Sequence, residues 1–350
     1  MEPILGPILE CCCGVDVHKN MIEACIIKGI KEPEYIRKRF STFQNELIEF
    51  VNWLYENDCF HIAMESTGVY WRPVYEAIEE FSPYYENIIV ANAHHMRNIP
   101  GRKTDVKDAE WIATLMQHGL LESSFVPDRN IRDLREFSRT YKNAVSEKSR
   151  CLNRLEKFLQ THGFKLSSVL SDINSVSGIN ILTILSQKGS LTIDDIENAV
   201  SRNTKKSPEE IQSAICGRLN ANECFLLADF LNQLRLIEQH IELILNKVIE
   251  IAEPYKDILE KLDSIIGIDI TAALLILAEI GSDVQKNFQT AGHLCSWAGL
   301  KPRNDESAEK YKSKKVMHGN PYIKSILCQC AWVAAKNRNK TISGACKCMN

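Results

Sequence analysis

A chain of 350 residues, 45% of them hydrophobic, is longer than one ordinary domain and has enough apolar side chains to bury more than one core. A net charge of −3 excludes a uniformly basic nucleic-acid coat, so any contact with phosphate must be local. Thirteen cysteines without one Cys-x-x-Cys pair speak against a zinc ribbon, and neither a leader (a cationic start before an apolar run) nor an apolar stretch of about 18 residues is expected.

In chain order, residues 11 to 28, CCCGVDVHKNMIEACIIK, read as two strands around a tight polar turn at His18 to Asn20. Cys11 to Cys13 lie in the first, where free cysteine behaves as a small buried hydrophobe in a reduced interior. Asp16 interrupts the same apolar run. An unpartnered charge is expensive to bury, so Asp16 belongs at the strand's end or against a cation. A third run, Tyr35 to Phe40, precedes a helix from about Asn45 to Tyr55 with apolar Leu47, Ile48, Phe50, Val51 and Leu54. His61 to Met64 forms a short strand ending in Glu65, followed by Ser66-Thr67-Gly68, a second helix near Pro73 to Phe81, and a strand at Asn87 to Ala91.

A basic loop, Arg97 to Lys103, then runs into a helix with Asp105 and Asp108 in its first turn, three apart and so on one face. The order is β-β-β-α-β-α-β-α. The acid pair has two readings: negative charge at a helix N-terminus is stabilised by roughly 0.3 to 1 kcal/mol, or the two carboxylates hold a hard cation such as Mg²⁺.

Pro127 opens a long helical region in which Leu134, Tyr141, Val145, Leu152, Leu155 and Leu159 follow an approximate heptad. Arg132, Arg135, Arg139 and Lys142 form a separate stripe, either a solvated face or an arm that tracks a phosphate backbone. Ser167 to Asn222 is weakly patterned. Phe230, Leu234, Ile237, Ile241, Ile244, Val248 and Ile251 then keep strict 4-3 spacing, a coiled-coil seam whose partner is another helix of the chain or another subunit.

After Glu253-Pro254, Gly267 supplies a tight turn before an apolar helix, Thr271 to Ile280. Such a turn exposes backbone N–H groups suited to a phosphate, or it simply joins two helices. From Lys301 to Lys324 there are seven Lys/Arg against three Asp/Glu, a cationic segment with Ser307 at its centre. By spacing alone, a serine there is a turn or capping residue. Cys328 and Cys330, with Cys346 and Cys348, make a poor zinc site, because residues i and i+2 of a helix point apart.

Three separated motifs, GVDVHK, MESTGVYW and GRKTDVKDAEWIA, resemble in order and spacing the acidic motifs of the DEDD transposases of bacterial insertion sequences, recombinases related to the pilin-gene invertase. GLKPRNDESAEK, followed by Lys314 and His318-Gly319-Asn320, resembles their C-terminal motif, in which a serine attacks DNA. The order of elements resembles the RNase H-like fold in its RuvC version, whose sheet holds ligands at the strands' carboxyl ends.

The resemblance implies an α/β RuvC-like domain at 8–125, a helical coiled-coil region at 126–255, and a mostly α transposase domain at 256–350 with a helix-hairpin-helix-like start. Asp16, Glu65, Asp105 and Asp108 would hold Mg²⁺ in a two-ion site, and Ser307 would be the nucleophile. Phosphate contacts are expected from Arg102, Lys103, Arg132, Arg135, Arg139, Gly267, Arg303 and Lys310. The implied partners are DNA, as element ends and target, a structured guide RNA, and further copies of the chain in a homodimer or tetramer. The expected location is cytoplasmic, at the nucleoid of a bacterial or archaeal cell, with no membrane contact. Glu309 replaces the glycine usual in the family, and the sequence ends soon after Lys340, where relatives commonly continue; either departure is read as reduced activity or as a decayed element. Two other readings stand beside this one, a RuvC-like structure-selective endonuclease using water and a nucleic-acid-binding remnant that has lost catalysis.

Overall fold

The computed structural model describes residues 8–66, 68–81, 85, 87–92, 96, 108–201, 204, 206–301, 306–307, 310–311, 316 and 318–336. The chain divides into two compact units, Met1–Val126 and Pro127–Asn350.

In the first unit, β1 (Cys11–Val17), β2 (Met21–Lys28) and β3 (Glu34–Ser41) form an antiparallel meander. Helix α1 (Gln44–Glu56) leads to β4 (His61–Glu65), and α2 (Trp71–Phe81) leads to β5 (Asn87–Ala91), both strands parallel to β1. The result is one mixed five-stranded sheet in the order β3-β2-β1-β4-β5. Helix α3 (Asp108–Gln117) completes the expected series of elements.

Alternation along β1 sorts its side chains between two cores. Cys13, Val15 and Val17 face Phe50, Trp53 and Leu54 of α1 and Val74 and Ile78 of α2. Cys12 faces the opposite way, where Ile27, Ala63 and Ala91 meet Ile112, Ala113 and Met116 of α3. Gly14 lies on this second face. A Cβ there would stand 2.2 Å from both the Ala109 carbonyl oxygen and the Ala113 amide nitrogen, so only glycine lets α3 lie on β1 this closely. Asp16 is the next residue on that face, toward the strand's carboxyl end.

The second unit is mostly helical. Its two long helices, α4 (Arg129–Thr161) and α8 (Ala221–Ala252), pack antiparallel: Leu155 and Leu159 share a core with Leu227, while Leu134 shares another with Ile244 and Val248. Part of the 4-3 seam is therefore covered by α4 of the same chain. Among its described residues the weakly patterned connection contains, after a 3-10 turn at Leu166–Ser168, the α-helices α5 (Val176–Lys188), α6 (Ile193–Ala199) and α7 (Pro208–Ala214). They start at side-chain caps, with Ser175 capping α5 and reciprocal capping boxes at Thr192/Asp195 and Ser207/Glu210. Beyond the turn at Glu253–Tyr255 come α9 (Lys256–Asp263) and α10 (Ile270–Ile280), which build the second core through Leu259, Ala273, Leu274 and Leu277. Two short helices, α11 (Val284–Asn287) and α12 (Ala291–Trp297), precede a small hairpin, β6 (Glu306–Ser307) with β7 (Lys310–Tyr311), and α13 (Pro321–Lys336). Among the described residues, no helix is long and apolar enough to cross a membrane.

Candidate acidic site and serine hairpin

The pairing Val15↔Met64 in parallel β1 and β4 brings the next residues, Asp16 and Glu65, side by side at the strands' carboxyl ends. On the other side Asp16 pairs with Glu23 of β2, which pairs in turn with Arg39 of β3. Arg39, Glu23, Asp16 and Glu65 thus form a row across four strands. Because α3 lies over Gly14 on the same face, its first described residue, Asp108, adds a third of the expected acids.

Electrostatics support the convergence. Burial raises the Asp16 carboxyl above its ordinary range; His18 pulls it down, while Asp108, Glu65 and Glu23 each push it up. His18 Nε2 lies 3.1 Å from Asp16 Oδ2. Arg39 is paired with Glu23 and Arg37 with Glu110. The donors are hard carboxylate oxygens, the type suited to Mg²⁺. Among the described residues, no group of three or more His, Cys, Asp or Glu side chains forms a metal-holding set. Asp105, the fourth expected acid, lies outside the described residues, as do Arg102 and Lys103. His18, Glu23 and Arg39 were not singled out by sequence, although period-2 alternation puts His18 and Glu23 on the face of Asp16 once the 18–20 turn sets the register, and Arg39 joins them through the second turn, between β2 and β3.

In the second unit, Ser307 lies in β6 with its backbone paired to Lys310 of β7. Only the backbones of Ser307 and Lys310 are described, and Arg303 lies outside the described residues.

In the arginine stripe of α4, Arg132, Arg135 and Arg139 each make hydrogen bonds inside the protein. Arg132 is 6% exposed and donates to the Pro127 carbonyl at 2.9 Å. Arg135 donates to the carbonyls of Ala278 at 3.0 Å and Glu279 at 2.7 Å, and burial lowers its pKa to about 10 against the opposing pull of Glu279. Arg139 grips both carboxylate oxygens of Glu279 at 2.8 Å. Burial lowers the Arg139 pKa too, but the bond to Glu279 outweighs it and the net shift is upward. For Arg135 and Arg139 the cause is Glu279, 1% exposed, whose buried charge requires a paired and hydrogen-bonded cation.

Gly267 also has a packing role. It adopts φ +92°, and a Cβ would come within 2.6 Å of the Cys330 carbonyl of α13. Asp269 caps α10 by accepting from the Ala272 amide at 2.7 Å, satisfying one of the N–H groups that a phosphate was expected to meet. Cys328 is exposed and Cys330 buried, on different sides of α13; Cys346 and Cys348 lie outside the described residues.

A family model for the DEDD transposase of IS110 type, described as a transposase, matches residues 13–164. A second, described as the transposase IS116/IS110/IS902 family, matches residues 259–345. A search of curated proteins finds no match.

Proposed function

The chain belongs to the IS110-type DEDD transposase family, and from that premise we propose that it cuts and rejoins DNA through a carboxylate cluster and a serine nucleophile. It is a transposase or recombinase of an insertion sequence, and its partner is DNA. The observation that carries the finer reading is the meeting of Asp16, Glu65 and Asp108, from three separate elements, at one end of the sheet. That meeting, with the strand order β3-β2-β1-β4-β5, supports an RNase H-like domain of RuvC type.

Asp16, Glu65, Asp108 and Asp105 are the residues that would hold divalent cations. The chemistry supplied by two bound Mg²⁺ ions is charge stabilisation at the attacking and leaving oxygens of a phosphodiester. Ser307 Oγ attacks the scissile phosphorus, and the bond from phosphorus to one deoxyribose oxygen breaks. The proton of Ser307 passes to a carboxylate of the acid cluster, and the departing oxygen takes a proton back from that carboxylic acid to leave as a hydroxyl. The phosphoserine diester retains the bond's energy, so reversal onto a different hydroxyl rejoins strands without an external energy source. Arg102, Lys103, Arg303 and Lys310 are the proposed phosphate contacts. A structured guide RNA and a homodimeric or tetrameric assembly complete the reading; Leu236, Leu243 and Ile249, exposed on α8, are consistent with a partner helix.

The test is trapping of protein on cleaved DNA. Wild type should leave a covalent protein–DNA product, and Ser307→Ala and Asp105→Asn should each abolish it while still binding DNA. Cleavage without an adduct would instead identify a water-using endonuclease, and activity surviving either substitution would remove that residue from the mechanism.

A further inference from the structure

We propose that Asn320, held by the buried carboxylate of Glu279, is a positioning residue that orients the hairpin bearing Ser307; this rests on the reading of Ser307 as nucleophile.

The chain leaves α12 at Trp297-Ala298-Gly299 and enters α13 after His318-Gly319-Asn320, with the hairpin between. The two ends of that excursion are pinned to each other. A Cβ on Gly319 would stand 2.2 Å from the Gly299 amide nitrogen and 2.5 Å from the Ala298 carbonyl carbon, a backbone approach that only glycine permits. One residue on, the Asn320 amide donates to the Trp297 carbonyl at 3.0 Å.

The Asn320 side chain extends this pinch in two directions. Its Oδ1 caps α13 by accepting from the Tyr322 amide at 2.9 Å and the Ile323 amide at 3.4 Å. Its Nδ2 donates to Glu279 Oε2 at 2.6 Å. Glu279 in turn is gripped by Arg139, whose guanidinium lies 4.4 Å from the centre of the Tyr322 ring. The node ties α4, α10, the base of the excursion and the start of α13 together through directional bonds.

Apolar side chains could join these helices without the desolvation cost of a buried ion pair. They could not fix the angle at which the base of the hairpin leaves. A nucleophile attacking phosphorus in line needs such an angle, and misplacement by about 1 Å can cost on the order of 100-fold in rate.

The experiment uses the full-length chain with a duplex of the DNA flanking its gene and the flanking transcript supplied, and measures three quantities: single-turnover adduct formation, affinity for the same duplex, and melting temperature. Asn320→Ser retains a short cap for α13 but cannot reach Glu279; Asn320→Ala loses both bonds. Both variants should slow adduct formation about 100-fold, with DNA affinity unchanged and the Asn320→Ser protein still melting cooperatively, only a few degrees below wild type. An adduct rate in Asn320→Ser equal to wild type, a rate that falls only in step with melting temperature, or a loss confined to DNA affinity would each overturn the proposal. Ser307→Ala is run in parallel. An adduct that survives there refutes the serine reading itself, a different result from failure of the Asn320 link.

Discussion

Asp16 carries the sharpest electrostatic consequence at the scale of single residues. Burial, with Asp108, Glu65 and Glu23 nearby, raises its carboxyl above the unfolded value, so the folded state disfavours its ionised form. Both states are protonated below the ordinary carboxylate range and no penalty exists there. The penalty grows as pH rises through the folded value and is complete above it. Asp16→Asn should therefore melt above wild type at neutral pH in a chelator, and the advantage should vanish in strong acid. A cation that binds only the folded state stabilises by mass action, about 2.7 kcal/mol at 100 times its Kd. Mg²⁺ should accordingly raise the wild-type melting temperature more than that of Asp16→Asn. Equal shifts would remove Asp16 from the cation site. Residues of this kind were legible as anomalies, since an acid in an apolar strand demands a partner. Arg135 and Arg139 were not, because Glu279, the acid that draws them inward, lies about 140 residues away and no local period announces it.

Among the elements, α3 is positioned by a single missing side chain. With Cβ contacts of 2.2 Å to backbone atoms of Ala109 and Ala113, Gly14→Ala must push the helix off β1 and carry Asp108 away from Asp16. Overpacking of this kind costs about 3 kcal/mol or more when neither backbone can yield. Urea unfolding should show that loss, and a wild-type midpoint would mean that α3 is not seated as described. The long helices allow a contrasting pair. Leu234, 1% exposed, should cost about 2–5 kcal/mol when cut to alanine. Leu243, 66% exposed on the same helix, should stay within about 0.5 kcal/mol if water is its only neighbour. A larger loss at Leu243 that depends on protein concentration would reveal a second chain on that face. The 4-3 pattern announced a seam without naming its partner, because heptad spacing specifies an apolar stripe and α4 presents a matching one. Strands β4 and β5 were legible nearly to the residue, being short apolar runs bounded by polar segments. Helices α6 and α7 depend on caps and few buried side chains, so periodicity was silent there.

For the whole molecule, the decisive fact is how the proposed chemistry is divided. Asp16, Glu65, Asp105 and Asp108 all belong to the unit Met1–Val126, and Ser307 belongs to Pro127–Asn350. Under the proposed mechanism neither unit holds a complete set, so acids and serine would have to act on one phosphate from a single chain or from two. An assembly that takes acids from one copy and serine from another gains a physical safeguard, since a lone chain could not cut. If catalysis is shared in this way, mixing Ser307→Ala with Asp16→Ala protein restores strand cleavage, because some assemblies then contain one intact acid cluster and one intact serine facing the same phosphate. With two such sites per dimer, only one can be whole, and the mixture should recover one strand cleavage per assembly. Both variants must bind DNA and melt cooperatively on their own for the result to count. Given that, a mixture as inactive as its components places both halves of the chemistry in a single chain, and the exposed face of α8 then has to be explained without catalysis.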